Sequence, residues 1–455
     1  MPRVYIKTFG CQMNEYDSGK MRAQLAPAGF VSTDDMDDAD LVIVNTCSIR
    51  EKPEQKLHSF LGRILPQKRV RPVTVAVAGC VAQMDGDRIF KKYPGVDLVF
   101  GPDAVAKVRE MVDAARTERV LDTTFFGAEG YPFPTDLDPD AEGRVGAFVT
   151  IQKGCDNKCT FCIVPSTRGD ETSRPTAEIL AEVEGLVARG VREITLIGQN
   201  VNSYGLKVHG MPTFADLLRA VHAIDGVEVI RYTTSHPRDM GDDVVACYAE
   251  LPKLASHLHL PVQSGSDRVL RRMKRFYTRE RYLEVVRKLR EARPDFVLTT
   301  DVIVGFPGES HADFDETMSL LEEVRFEGSF SFKYSPRPGT PALRLLDDAV
   351  PDDVAQARLE RFQARQRVIQ LEAHAALVGR TVRVLVEGPS AHDEGVICGR
   401  TSAFKMVNFP GDPSLVGQWV DVRITRGFAN TLRGEPVAPA PYIAPEAASP
   451  TITNM

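Results

Sequence analysis

The feature that most constrains this chain is an alternation: short, β-branched apolar runs, each followed by helix-forming residues, up to about residue 375. VYIKTFG (4–10), LVIVNT (41–46) and VTVAVAG (73–79) are the first of these runs, and they have the near-continuous apolar character of strands buried on both faces of a parallel sheet. Helix-compatible segments such as SGKMRAQLAPAG separate them. This βαβ pattern predicts an α/β chain that opens with a doubly wound parallel sheet over residues 1–130. Residues 131–145, with YPFPTDLDPDAEGR, lack periodicity and are rich in Pro and Asp, so they read as a linker. Alternation resumes over 146–377. GAFVTIQKG, REITLIGQN, VIRYTTS, SHLHLPVQS, FVLTTDVIVG and GSFSFKYS are strand candidates with helical segments between them. Six βα units predict a partial, TIM-like (βα)6 barrel, whose chemistry belongs at the C-terminal ends of its strands. TVRVLVEG, EGVICGRTS, FKMVNF and GQWVDVRITRGF then predict a small β-barrel over 378–440. Residues 441–455 read as a flexible tail.

At 455 residues the chain exceeds one ordinary core. Its 43% hydrophobic and 26% charged content is that of a soluble protein. No apolar run reaches membrane-spanning length and the sequence begins directly on a strand, so a cytoplasmic protein without membrane contact is expected. The formal charge of −6 gives no global attraction to nucleic acid, and any polyanion must find a local basic surface. Eight cysteines in a reducing compartment are ligands or catalysts sooner than disulfides.

Three of them form GCDNKCTFC, with Cys155, Cys159 and Cys162 at C-x3-C-x2-C spacing just after the first barrel strand. Thiolates suit zinc or iron–sulfur clusters. Zinc needs a fourth ligand, and no His or Cys follows at finger spacing. A [4Fe–4S] cluster on three thiolates leaves one iron open, and this is the favoured reading. Cys11, Cys47 and Cys80 lack such spacing, yet each ends an N-terminal strand: TFGC, VNTC, VAGC. Strand ends of a parallel sheet face one crevice, so these thiols are expected to converge, with Gly10 and Gly79 leaving room for a bulky ligand. Three unrelated core cysteines are the bland alternative. Gln263 and Ser264, at another strand end, are candidate ribose or substrate contacts. Arg174 is a candidate partner for a carboxylate or phosphate, or a plain surface residue. His236 is placed for an orienting or a catalytic contact.

The loop, with aromatic Phe161 before its last cysteine, resembles the radical S-adenosylmethionine superfamily. Nearly the whole chain resembles its methylthiotransferase family, in the tRNA-acting MiaB-type branch. The carriers are KTFGCQMNEYDSGKM (7–21), NTCSIRE (45–51), AGCVAQ (78–83), GCDNKCTFCIVPSTRG (154–169), ETSRP (171–175), LIGQNVNSYG (196–205), TSHP (234–237), HLPVQSGSDRVLRRMKR (259–275) and DVIVGFPGE (301–309). The terminal β-barrel is similar to a TRAM domain. The resemblance implies two [4Fe–4S] clusters. The one on Cys155, Cys159 and Cys162 binds S-adenosylmethionine and splits it to a 5′-deoxyadenosyl radical; the auxiliary one, on Cys11, Cys47 and Cys80, delivers sulfur. It further implies S-adenosylmethionine contacts at Phe161, Gln199, Asn200, Gln263 and Gly305, and substrate contacts at Arg174, His236 and Ser264. The implied reaction adds a 2-methylthio group to N6-(dimethylallyl)adenosine in the tRNA anticodon stem-loop. An electron donor such as flavodoxin or ferredoxin and a sulfur donor are implied partners of a monomer. Relatives modify threonylcarbamoyladenosine or a ribosomal-protein aspartate; the latter usually carry a CPKN-like run where this chain has CQMN. From another class, a non-catalytic, zinc-stabilised RNA-binding protein is the competing reading.

For RNA, residues 268–293 carry 11 Arg or Lys against three Glu, a phosphate-binding face or simply a solvated one. The terminal barrel interleaves Arg and Lys with Phe404, Phe409, Trp419 and Phe428, most of which are expected to fill its own core and the rest to meet RNA.

Overall fold

The computed structural model describes residues 1–47, 51–126, 130–391 and 393–437. The tail expected over 441–455, and residues 438–440, lie outside them. Six parallel strands make the N-terminal sheet, in the order Val31–Ser32, Arg3–Phe9, Leu41–Thr46, Thr74–Ala78, Leu98–Phe100, Val120–Asp122. Every residue of Leu41–Thr46 is buried, because apolar clusters cover both faces of the sheet. The strand order reverses direction between Arg3–Phe9 and Leu41–Thr46. That switch point opens a crevice at the C-terminal strand ends.

The central strands Gly146–Thr150, Glu193–Ile197, Val229–Tyr232, His257–His259, Val297–Val304 and Gly328–Lys333 form two parallel three-stranded sheets. A parallel bridge between Ile230 and Leu254 joins them. Among the described residues no pairing closes the last strand on the first, so this is a partial (βα)6 barrel with chain-order strands. Thr213 and Ser310 start two of its helices with reciprocal capping boxes to Asp216 and Asp313.

Residues 131–145 are well fastened. Arg22 donates from Nε to Asp138 at 2.9 Å, Lys20 donates to the Asp136 carbonyl at 2.8 Å, and Ala141 is buried. Among the described residues, 1–373 with 402–404 make one compact unit, and 374–401 with 405–437 a second. The second holds a closed five-stranded barrel, with neighbours in the order Thr381–Pro389, Val396–Arg400, Met406–Pro410, Leu432–Pro436, Trp419–Gly427. Val384, Val386, Ile397, Val407, Phe409, Val422, Ile424 and Leu432 fill it.

Candidate active site

The N-terminal cysteines meet because their strands are neighbours. Cys11 caps helix Gln12–Leu25, Cys47 follows Leu41–Thr46, and Cys80 opens helix Cys80–Asp85. Cys47 is hydrogen-bonded to both other thiols. A Cβ on Gly10 would lie 2.8 Å from that of Cys47. Gly79, at φ +90°, would place one 2.4 Å from Asn45 Oδ1 and 2.6 Å from the Thr46 carbonyl. Both glycines are therefore consumed by the convergence itself. Beneath the triad, Asn14 Nδ2 donates to Asn45 Oδ1 at 2.9 Å, while Asn45 Nδ2 donates to the Asn14 carbonyl and to Ser18. The hydrogen bond with Cys47, followed by opposing burial and the Arg168 charge, brings Cys11 down to about 7. The Cys47 hydrogen bond also leads at Cys80, which falls to about 5 against burial, helped by Arg168 and Thr167. The same bonds push Cys47 up.

Arg168 and Thr167 come from the other cysteine site. Helix Val164–Arg168 starts two residues after Cys162 and ends against the first triad. Upstream, Gly154 at φ +72° turns the chain where a Cβ would strike the Asp170 carbonyl at 2.0 Å, and Cys155 N–H donates to the Gly169 carbonyl at 3.2 Å. Thr160 is gripped by main-chain bonds with Met273 and Ala342 and by its hydroxyl to the Arg272 carbonyl. Arg275, buried, donates from Nη1 to Cys159 Sγ at 3.4 Å and from Nη2 to the Pro261 carbonyl at 2.9 Å. Burial pushes Cys155 up to about 11 and Cys162 to about 12, so a metal must displace their protons.

Around this loop the barrel rim offers unpartnered buried polar atoms: Gln199 Oε1, Asn200 Oδ1 and Ser235 Oγ. Buried groups of this kind are normally satisfied, so they fit a polar ligand such as S-adenosylmethionine. Asn200 Nδ2 donates to Asp239 at 2.7 Å. Thr234 at φ +71° and Gln263 at φ +70° sit in the left-handed region at two strand ends, a strain that collects at functional sites. Phe161 packs against Val269, Met273, Phe306 and Ala342.

The other expected contact residues have partners within the protein. Arg174 is 0% exposed and spends its charge on Glu182 and Glu178; its partner is a carboxylate, but the protein's own. Ser264 is fully buried, its hydroxyl accepting from Ser266 N–H at 3.2 Å beside Thr317. Gly305 donates its N–H to Glu309 at 2.7 Å, and a Cβ there would meet that of Ala355 at 2.6 Å. Its freedom serves helix packing. His236 is buried and held down to about 2, by burial first and then by Arg275 and Arg238. Its neutral Nδ1 accepts from Arg238 N–H at 3.2 Å. Sequence reasoning missed Arg168 and Arg275 altogether, although both lie inside motifs that carried the resemblance.

The basic run 268–293 is largely paired. Arg268 binds Asp313, Arg272 Asp348, Arg279 Glu323, Arg281 Glu284, Arg287 Glu291 and Lys288 Asp242. Lys274 and Phe276, both at positive φ, instead project from the rim beside Arg275, and Phe276 is 64% exposed. In the terminal barrel only Phe409 is core. Phe404 and Phe428 are exposed and Trp419 is half-buried, with Arg383 over Trp419 at 5.1 Å and Arg426 over Phe428 at 4.7 Å. The expectation that most of these rings fill the core fails.

A partial (βα)6 barrel with a three-cysteine loop at its rim defines a radical S-adenosylmethionine protein, and residues 149–321 match the radical SAM superfamily. Residues 3–101 match the uncharacterised protein family UPF0004, and 375–437 match the TRAM domain. A solved radical S-adenosylmethionine methyltransferase, TsrM from Kitasatospora setae, is 15% identical with a TM-score of 0.55, covering 86% of this chain and 79% of its own. The cobalamin-dependent enzyme OxsB follows at TM-score 0.51 and 13% identity, covering 79% of this chain and 56% of its own. These share the fold. Two proteins named tRNA-2-methylthio-N(6)-dimethylallyladenosine synthase are much nearer. The one from Geobacter metallireducens is 52% identical over 95% of this chain and 98% of its own; that from Chromobacterium violaceum is 48% identical over 96% and 98%. The chain belongs to the tRNA-2-methylthio-N(6)-dimethylallyladenosine synthase family. An iron–sulfur cluster and S-adenosylmethionine are the cofactors this membership supports.

Proposed function

We propose that the chain adds a methylthio group to C2 of N6-(dimethylallyl)adenosine at position 37 of tRNA, beside the anticodon. The observation that carries this reading is the pair of three-thiol sets, each at the C-terminal edge of a parallel sheet and joined by helix Val164–Arg168. Cys155, Cys159 and Cys162 would hold one [4Fe–4S] cluster and Cys11, Cys47 and Cys80 a second. When bound, the clusters and S-adenosylmethionine supply radical generation, sulfur and the methyl group, and the chain positions them.

The residues do the placing. Arg275 and Thr160 fix the loop, Gln199, Asn200 and Gln263 offer polar atoms to S-adenosylmethionine, and His236 stays neutral to orient its neighbours. A base whose C2 reacts must leave its stack, which is easiest in an anticodon loop. Phe276 at the rim, and Trp419 and Phe428 of the terminal barrel, are the rings available for stacking. On this assignment residues 1–130 carry the auxiliary site, 146–377 the radical chemistry and 378–440 RNA binding. Flavodoxin or ferredoxin would supply electrons and a separate donor sulfur, to a monomer in the cytoplasm.

The test separates the two sets. Cys155→Ala should abolish 5′-deoxyadenosine formation, while Cys11→Ala should keep it and stop thiolation. Full 2-methylthio product from the Cys11 variant would sink the second set. Anaerobic metal analysis should find about eight irons per chain; zinc without iron refutes both clusters.

A further inference from the structure

We infer that Arg168 is a positioning residue for the N-terminal triad: it holds a fixed positive charge against the anionic group those thiolates carry and ties that group to the 155–162 loop. The inference rests on the reading of Cys11, Cys47 and Cys80 as ligands of a second cluster.

Arg168 is 5% exposed. It lines a small pocket with Asp17, Asp103, Lys153 and Tyr131. A buried guanidinium is costly unless its charge and its hydrogens are answered. One carboxylate reaches it in an ion pair, Asp17, with Nη2 and Oδ2 at 2.8 Å. Neither of these two atoms makes an aligned hydrogen bond, so the guanidinium keeps donor capacity for another acceptor. The neighbouring cation, Lys153, is taken by Asp103 and lies over the Tyr131 ring. Helix Val164–Arg168 packs against helix Cys80–Asp85, which opens on Cys80, and the guanidinium feels the charge of Cys80 and Cys11. An Arg fork hydrogen-bonds a thiolate with both charge and direction.

The helix that carries Arg168 is pinned at both ends. Cys162 lies two residues before it, and the carbonyl of Gly169, its C-terminal cap, accepts from Cys155 N–H at 3.2 Å. The loop of one cysteine set thus presents a cation to the other. A fixed charge in a water-poor site is little screened. It favours whichever state of a neighbouring cluster carries one more electron, and so raises the reduction potential of that cluster.

The experiment uses the full chain with Cys155, Cys159 and Cys162 replaced by Ala, reconstituted to hold iron on the N-terminal triad alone. Its midpoint potential is read by EPR during an anaerobic dithionite titration. Arg168→Met should make reduction at least tenfold less favourable, about 59 mV for one electron. Arg168→Lys, which keeps the charge, should recover more than half of the shift, and this variant decides the matter if the Met variant takes up no iron. In the reciprocal chain lacking Cys11, Cys47 and Cys80, Arg168→Met should leave the potential unchanged. An unchanged potential in the first background, or a Lys variant shifted as far as Met, overturns the role of Arg168 alone. A parent variant that holds no iron overturns the second cluster, and this inference with it.

Discussion

The two cysteine sets solve the same problem in opposite ways. Cys155, Cys159 and Cys162 span eight residues, so a single loop brings them together and the rest of the fold only grips it, through Arg275, Met273 and Ala342. Cys11, Cys47 and Cys80 span 70 residues and meet only once three strands have paired. Their protonation differs in the same sense. Burial raises Cys155 and Cys162, whereas mutual hydrogen bonds and Arg168 lower Cys11 and Cys80. A local site can be built before the protein is finished. A dispersed one is a product of the finished fold.

The largest expected break in that comparison is Gly79→Ala. Its φ of +90° and approach to the Thr46 carbonyl should cost roughly 3 kcal/mol of unfolding free energy in urea. Stability and N-terminal iron should fall together; iron loss with unchanged stability would make this set as local as the other. Next comes Arg275→Met, which removes hydrogen bonds to Cys159 and Pro261 and should cost about 2 kcal/mol. Iron should be lost from the 155–162 loop while the N-terminal EPR signal persists; loss of both signals would deny the sites their independence. Asn45→Ala leaves Asn14 Nδ2 without its partner, worth about 1–2 kcal/mol. It should lower N-terminal iron and spare 5′-deoxyadenosine formation. The smallest change is Phe276→Ala, with stability and iron untouched and anticodon stem-loop affinity down roughly fivefold, about 1 kcal/mol, as for one lost stack. Unaltered affinity would remove Phe276 from the RNA surface.

What was legible in the sequence follows the same divide. The GCDNKCTFC loop stood out because its spacing is local, and the meeting of the N-terminal cysteines could be expected because each closes a strand whose apolar run is unmistakable. Arg168 and Arg275 were not legible as functional. Their partners lie 88 and 116 residues away, Cys80 and Cys159 respectively, and no periodicity encodes such a contact. The internal partners of Arg174 and Ser264 were hidden for a related reason. A polar residue beside a strand end looks available until packing shows that Glu182 and Ser266 already occupy it.

The seam around Lys20 has a consequence for divisibility. Lys20 on helix Gln12–Leu25 and Glu182 on the barrel helix Thr176–Ala188 meet at 2.8 Å, each about 4% exposed, and Arg22 binds Asp138 close by. The Lys20–Glu182 pair neutralises opposite charges from the two halves with water excluded. A chain cut at residue 145 would leave Lys20 unpaired in one fragment and Glu182 without its lysine in the other. Residues 1–373 should therefore melt as one cooperative body, and neither fragment would be a smaller version of the whole.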